Sequence, residues 1–74
     1  MPKLYSSKEI ELVLARIGFY HRAQKGSHGK FKNESGSIII LPMNKKEIPY
    51  GTFRSILKQL NISLREFEAL LNKK

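Results

Sequence analysis

His21 and His28 are the two side chains of this sequence best suited to moving a proton near neutral pH. His28 stands in the segment Lys25-Gly26-Ser27-His28-Gly29, with Lys30 and Lys32 just beyond it. An imidazole has an ordinary pKa near ~6.5, and as a general base it contributes on the order of 10²–10⁴-fold to a rate. Lysines and turn amides beside it supply donors for an oxygen on which negative charge grows during reaction. Gly26 and Gly29 would let a ligand approach the backbone closely, and Ser27 can hydrogen-bond His28 or a phosphate oxygen. The alternative is that His28 is simply a polar residue of a hairpin turn. Both readings stand at this point.

Charge narrows the substrate class. The chain has 74 residues, with fourteen Lys and Arg against six Asp and Glu, a formal charge of +8 that favours polyanions, nucleic acid first. From Arg16 to Asn33 it carries Arg16, Arg22, Lys25, Lys30 and Lys32 with no acid, whereas Glu9, Glu11, Glu66 and Glu68 fall in predicted helices. The expected nucleic-acid-binding set is Lys25, Gly26, Ser27, Lys30, Lys32 and Arg22 around His28, together with Lys45 and Lys46 from a later loop. Lys45 and Lys46 read equally well as a solvated loop, and Arg54 and Lys58 as phosphate binders or as a wet helix face. There is no cysteine, and the two histidines have no metal-pair spacing, so neither a metal nor another cofactor is expected. A chain this short fits one domain over residues 1–74 and buries only about 60% of its unfolded surface, which leaves no deep cofactor pocket. The apolar run Ser37–Met43 is too short to span a membrane, and no leader pattern opens the chain, so it reads as soluble and cytoplasmic.

The elements that must position these residues follow from local pattern. Ser6-Ser7-Lys8-Glu9 is a capping box ahead of Ile10, Val13, Leu14 and Ile17 at helical spacing, and Gly18 supplies the stop. Phe19 to Gln24 reads as a strand, in which His21 shares a side with Phe19 and Ala23 and reads as a half-buried structural histidine, the alternative being a second acid, so the proton donor is Lys30, His21 or water. Tyr20 and Arg22 take the other side, where Tyr20 either stacks on a nucleotide or fills a sheet-edge position. Lys25–Gly29 forms a hairpin turn, and Lys30-Phe31-Lys32-Asn33 alternates as a second strand. If that strand begins at His28, then Lys30 and Lys32 share its face while Phe31 turns inward. After the turn Glu34-Ser35-Gly36, the β-branched run Ser37–Leu41 reads as the central strand of a three-stranded meander. Pro49 forbids helix before Tyr50, Thr52 is the expected N-cap of a helix ending near Asn61, and Ser63 with Glu66 opens a third helix. The sum is an α+β fold in the order α-β-β-β-α-α, with helices on one face of an antiparallel sheet and the other face wet.

Gly18-Phe19, Gln24-Lys25-Gly26-Ser27-His28, Phe31, Pro42 and the run Lys46-Glu47-Ile48-Pro49-Tyr50-Gly51-Thr52-Phe53-Arg54-Ser55-Ile56-Leu57-Lys58-Gln59 together resemble the HicA toxin family over nearly the whole chain. The resemblance implies a double-stranded-RNA-binding-domain-like fold, ribosome-independent cleavage of messenger RNA, and neutralisation by a HicB antitoxin that covers the His28 face. Two positions depart from the family: Asn44 stands where members often carry a second histidine, and Ala23 where an arginine is frequent. RNA carries its own nucleophile, the 2′-hydroxyl, so metal-free cleavage needs a base on that proton, the role the resemblance gives His28. Two other functions fit the same residues. A non-catalytic RNA-binding module would show salt-sensitive binding without turnover, and a basic docking domain would hold an acidic protein without affinity for RNA.

Overall fold

The structure, a computed structural model, describes residues 3–73. Its elements are α1 (Ser7–Arg16), β1 (Tyr20–Lys25), β2 (His28–Lys32), β3 (Ile38–Pro42), α2 (Tyr50–Leu60) and α3 (Leu64–Leu71), an α+β fold in the expected order. The capping box of α1 is formed: Glu9 N donates to Ser6 Oγ at 3.1 Å, and Ser6 N donates to Glu9 Oε1 at 2.8 Å. At its other end Gly18 takes φ +91°. Phe19 N then reaches Leu14 O at 2.8 Å and Gly18 N reaches Ala15 O at 3.2 Å, the paired bonds of a Schellman stop. This stop buries Phe19 and delivers the chain into β1.

The sheet order is β1-β2-β3 with both pairs antiparallel, so β2 is central and the expectation for Ser37–Leu41 is overturned. Two successive hairpins put the middle strand in the middle, and β3 is an edge. Its Ile-Ile-Ile-Leu run suggests burial on both faces, but only one face is covered: Ile39 and Leu41 are buried while Ile38 and Ile40 are exposed. Phe31, Ile39 and Leu41 from the covered face meet Ile10, Val13 and Leu14 of α1, Phe53, Ile56 and Leu57 of α2, and Phe67 of α3 in one core.

α2 begins differently from the sequence expectation. Its N-cap is Pro49 at φ −54°, with no side-chain cap, and Thr52 lies inside the first turn. Proline's preset φ lets the chain enter the helix at once, and Pro49 O accepts from Phe53 N at 3.0 Å. Asn61, left-handed at φ 57°, ends α2, and the Ser63–Glu66 box opens α3 as expected. An aromatic cluster docks α3. The Tyr5 ring lies 5.1 Å from Phe53 and 4.9 Å from Phe67, and Tyr5 Oη donates to Glu68 Oε2 at 2.8 Å. The Arg16 guanidinium donates to the Leu70 and Leu71 carbonyls at the end of α3. Among the described residues, no helix is long and apolar enough to cross a membrane.

Candidate active site

Because β2 starts at His28, its pleat turns His28, Lys30 and Lys32 to the uncovered face and Gly29 and Phe31 to the core. Strand register extends that face into three rows: Lys25, His28 and Pro42; Ala23, Lys30 and Ile40; Tyr20, Lys32 and Ile38. Side chains directly opposite one another have Cβ atoms about 4.5–5.5 Å apart, so Lys25 is a direct neighbour of His28. Lys30 is one pleat along the same strand. His28 is exposed, and with Ala23, Lys25, Gly26, Lys30 and Ile40 it lines a shallow open depression. None of the six acidic residues lies in a strand.

The loop after β3 holds the hairpin tip in place. Gly26 and Ser27 are the two turn residues between paired Lys25 and His28, and Gly26 sits at φ +56°, a conformation suited to glycine at the first position of a two-residue hairpin turn. Met43 N donates to Ser27 O at 2.7 Å, clamping the turn to the end of β3. Ser7, buried at the start of α1, donates its hydroxyl to Pro42 O at 2.7 Å and accepts from Lys45 N at 3.0 Å. A chain of hydrogen bonds thus runs from α1 through residues 42–45 to the residue preceding His28.

Lys25, Lys30 and Lys32 gather on the His28 face, with Gly26 and Ser27 at its rim. Arg22 does not share that face by simple alternation. The register shifts between His21 and Ala23, so Arg22 is the extra residue of a β-bulge, and Tyr20, Ala23 and Lys25 fall on the same side. Lys45 and Lys46 line a different depression with Ser6, Ser7 and Lys8 against the start of α1. Arg16 is engaged at the end of α3 and is no part of a continuous basic stretch.

His21 also departs from expectation. It is exposed rather than half-buried, its Nε2 lies 2.9 Å from Gln24 Oε1, and its ring packs edge-on against Phe31 at 5.2 Å. It pairs with Phe31 on the core side of the sheet, opposite the face of His28, and the bulge separates it from Ala23. Gly29 is buried, yet its backbone lines the same open depression as His28, so a ligand on that face meets it directly. The outward isoleucines Ile38 and Ile40 are additions to the site, and their alternation with Ile39 and Leu41 was the available signal. Among the described residues no group of three or more His, Cys, Asp and Glu side chains is gathered for a metal ion. A second depression between α2 and α3 is lined by Arg54, Ser55, Lys58 and Ser63 and holds no histidine.

Compared with known families, residues 7–62 match the model of the HicA toxin of bacterial toxin-antitoxin systems, a span from the first residue of α1 past the end of α2. It contains the sheet, the His28 hairpin and the clamping loop, and leaves α3 outside. No curated protein matches the chain.

Proposed function

The chain belongs to the HicA toxin family of bacterial toxin-antitoxin systems, and from that premise we propose that it is an endoribonuclease that cleaves messenger RNA without ribosome or metal, with His28 as general base. The observation that carries the reading is the position of His28 on the central strand, exposed, beside Lys25 and one pleat from Lys30. His28 takes the proton of a 2′-hydroxyl as that oxygen attacks the adjacent phosphorus. A 2′-oxygen–phosphorus bond forms, the phosphorus–5′-oxygen bond breaks, and the products are a 2′,3′-cyclic phosphate and a 5′-hydroxyl. Lys25 and Lys30 offset the charge that grows on the phosphoryl oxygens. The leaving 5′-oxygen takes its proton from Lys30 or water, since His21 faces the other side of the sheet.

The remaining predicted contacts divide by position. Lys32 carries the backbone further along the open face, Gly26 and Ser27 shape its rim, and Arg22 at the bulge with Lys45 and Lys46 beyond β3 serve as flanking phosphate contacts. A HicB-like antitoxin would neutralise the toxin by covering the same face. Tyr20, Ile38 and Ile40 expose apolar surface there among the lysines, which suits a protein partner with acidic and apolar side chains.

The deciding experiment incubates RNA in chelator with the wild type and with His28→Ala. The expected result is cleavage with a cyclic-phosphate end by the wild type and a loss of about 10²–10⁴-fold in the variant. Full activity of His28→Ala would sink the assignment. Binding without turnover by the wild type would leave an RNA-binding module. In cells, induction of the wild type alone should arrest growth, and His28→Ala should relieve the arrest.

A further inference from the structure

We propose that Tyr20 is a stacking platform for one unpaired base of the RNA, at the far end of a single-strand track that begins at His28. The proposal rests on the RNA reading of this face and adds to it a second binding position and a strand state.

The bulge at Arg22 carries the argument. With uninterrupted alternation Tyr20 would lie on the face opposite Lys25 and Ala23, turned toward the core. The extra residue reverses the parity of β1, so Tyr20 pairs with Lys32 and joins the His28 face. Bulges re-aim side chains in this way, and here the result is an aromatic ring delivered to the open side of the sheet. Tyr20 is 59% exposed, more than the outward isoleucines Ile38 and Ile40. So large an exposed area adds nothing to the core.

Tyr20 lines a depression with Asn33 and the acidic Glu34 on the side away from His28, and on the side toward His28 its surroundings match a nucleic-acid strand. The Tyr20 row lies four residues along β2 from the His28 row, about 13 Å at ~3.3 Å per residue. Each of the three rows holds one lysine, Lys25, Lys30 and Lys32 in turn, so a phosphodiester chain crossing the rows meets a cation at every step. Ile40 and Ile38 border the same path with apolar surface. An aromatic ring on an open sheet binds bases by their faces, and a base offers its face only when it is unpaired and unstacked. The track therefore selects single-stranded RNA over a duplex.

The test uses the full chain carrying His28→Ala, which holds RNA uncut. The sequence contains no tryptophan, so Tyr20→Trp introduces a unique fluorophore at the platform. A single-stranded oligoribonucleotide should quench that indole, and a blunt duplex of the same sequence should not. Tyr20→Ala and Tyr20→Leu should each weaken single-strand binding by about 5- to 150-fold, the loss of one stacked base, while Tyr20→Phe should stay close to the parent. Equal affinity of Tyr20→Ala and its parent overturns the platform, as does equal quenching by the duplex. Intact RNA affinity in Tyr20→Ala with lost capture of a co-expressed antitoxin assigns the ring to a protein contact and also overturns it. Failure of the parent to bind any oligonucleotide overturns the RNA reading itself. Metal-free cleavage by the wild type with indifferent Tyr20 variants overturns the platform alone.

Discussion

An ideal Cβ on Gly29 would stand 3.0 Å from Met43 Sδ and 3.1 Å from both Met43 Cγ and Phe31 Cε1, whereas one on Gly26 meets nothing within 4 Å but sits at φ +56°. Met43 is flexible and can move, but the Phe31 ring is fully buried and cannot. Gly29→Ala should therefore lower stability by about 1–3 kcal/mol through overpacking. Gly26→Ala should lose about 1–2 kcal/mol through its backbone alone. Urea unfolding of two further variants separates the causes. Gly26→Asn should regain part of the loss, because asparagine tolerates the left-handed region, and Gly29→Asn should be worse than Gly29→Ala. Equal behaviour of the two sites would refute the distinction. The Gly-Ser-His pattern was legible in the sequence, since turn chemistry is local. Gly29's constraint was not, because the atoms that crowd it come from Met43, a residue that reaches the turn only through the completed sheet.

At the scale of elements, both capping boxes and the Gly18 stop could be read directly, because Ser6 with Glu9, and Ser63 with Glu66, complete their bonds within four residues. The bulge at Arg22 could not be read. It breaks the period of two on which every face assignment in β1 depends: Tyr20 and His21 keep their expected sides, while Ala23 crosses to the open face. Nor does local pattern tell an edge strand from a central one, and so β3 was misplaced. The docking of α3 is likewise non-local, and it carries a pH signature. Tyr5 is raised from 10.0 to about 12, first by burial, then by the hydrogen bond to Glu68 and the nearby carboxylate charges of Glu68 and Glu9. In this range the native state holds a proton that the unfolded chain releases. The stability tied to that proton is complete below pH ~10 and is lost as pH rises through about 12. Tyr5→Phe should remove this alkaline limb, and urea midpoints of the two proteins compared from about pH 9 upward should show it. Parallel curves would mean that Tyr5 ionises alike in both states.

The whole molecule carries +8, but its charges are not evenly available. Glu9 and Glu66 are held in capping boxes, Glu68 accepts from Tyr5, and Arg16 is engaged at the end of α3. What remains concentrated is the lysine set Lys25, Lys30 and Lys32 on a sheet face without an acid. This arrangement makes a quantitative claim about RNA binding. Counterion release from a single strand gives a slope of about −0.7 in log K against log salt for each phosphate neutralised, so the three lysines contribute about −2, and the flanking Arg22, Lys45 and Lys46 bring the slope to about −4. A chain that used its net charge indiscriminately would give a slope near about −6. The measurement is the affinity of the His28→Ala protein for a single-stranded oligoribonucleotide, by anisotropy, from about 50 mM to about 200 mM salt. Lys30→Gln and Lys32→Gln should each make the slope shallower by about 0.7 and weaken binding whatever the base sequence, because phosphate contacts carry no sequence information. A steep slope indifferent to both substitutions would place the RNA elsewhere, with Arg54 and Lys58 on α2 the next cations to replace, and would detach His28 from the substrate.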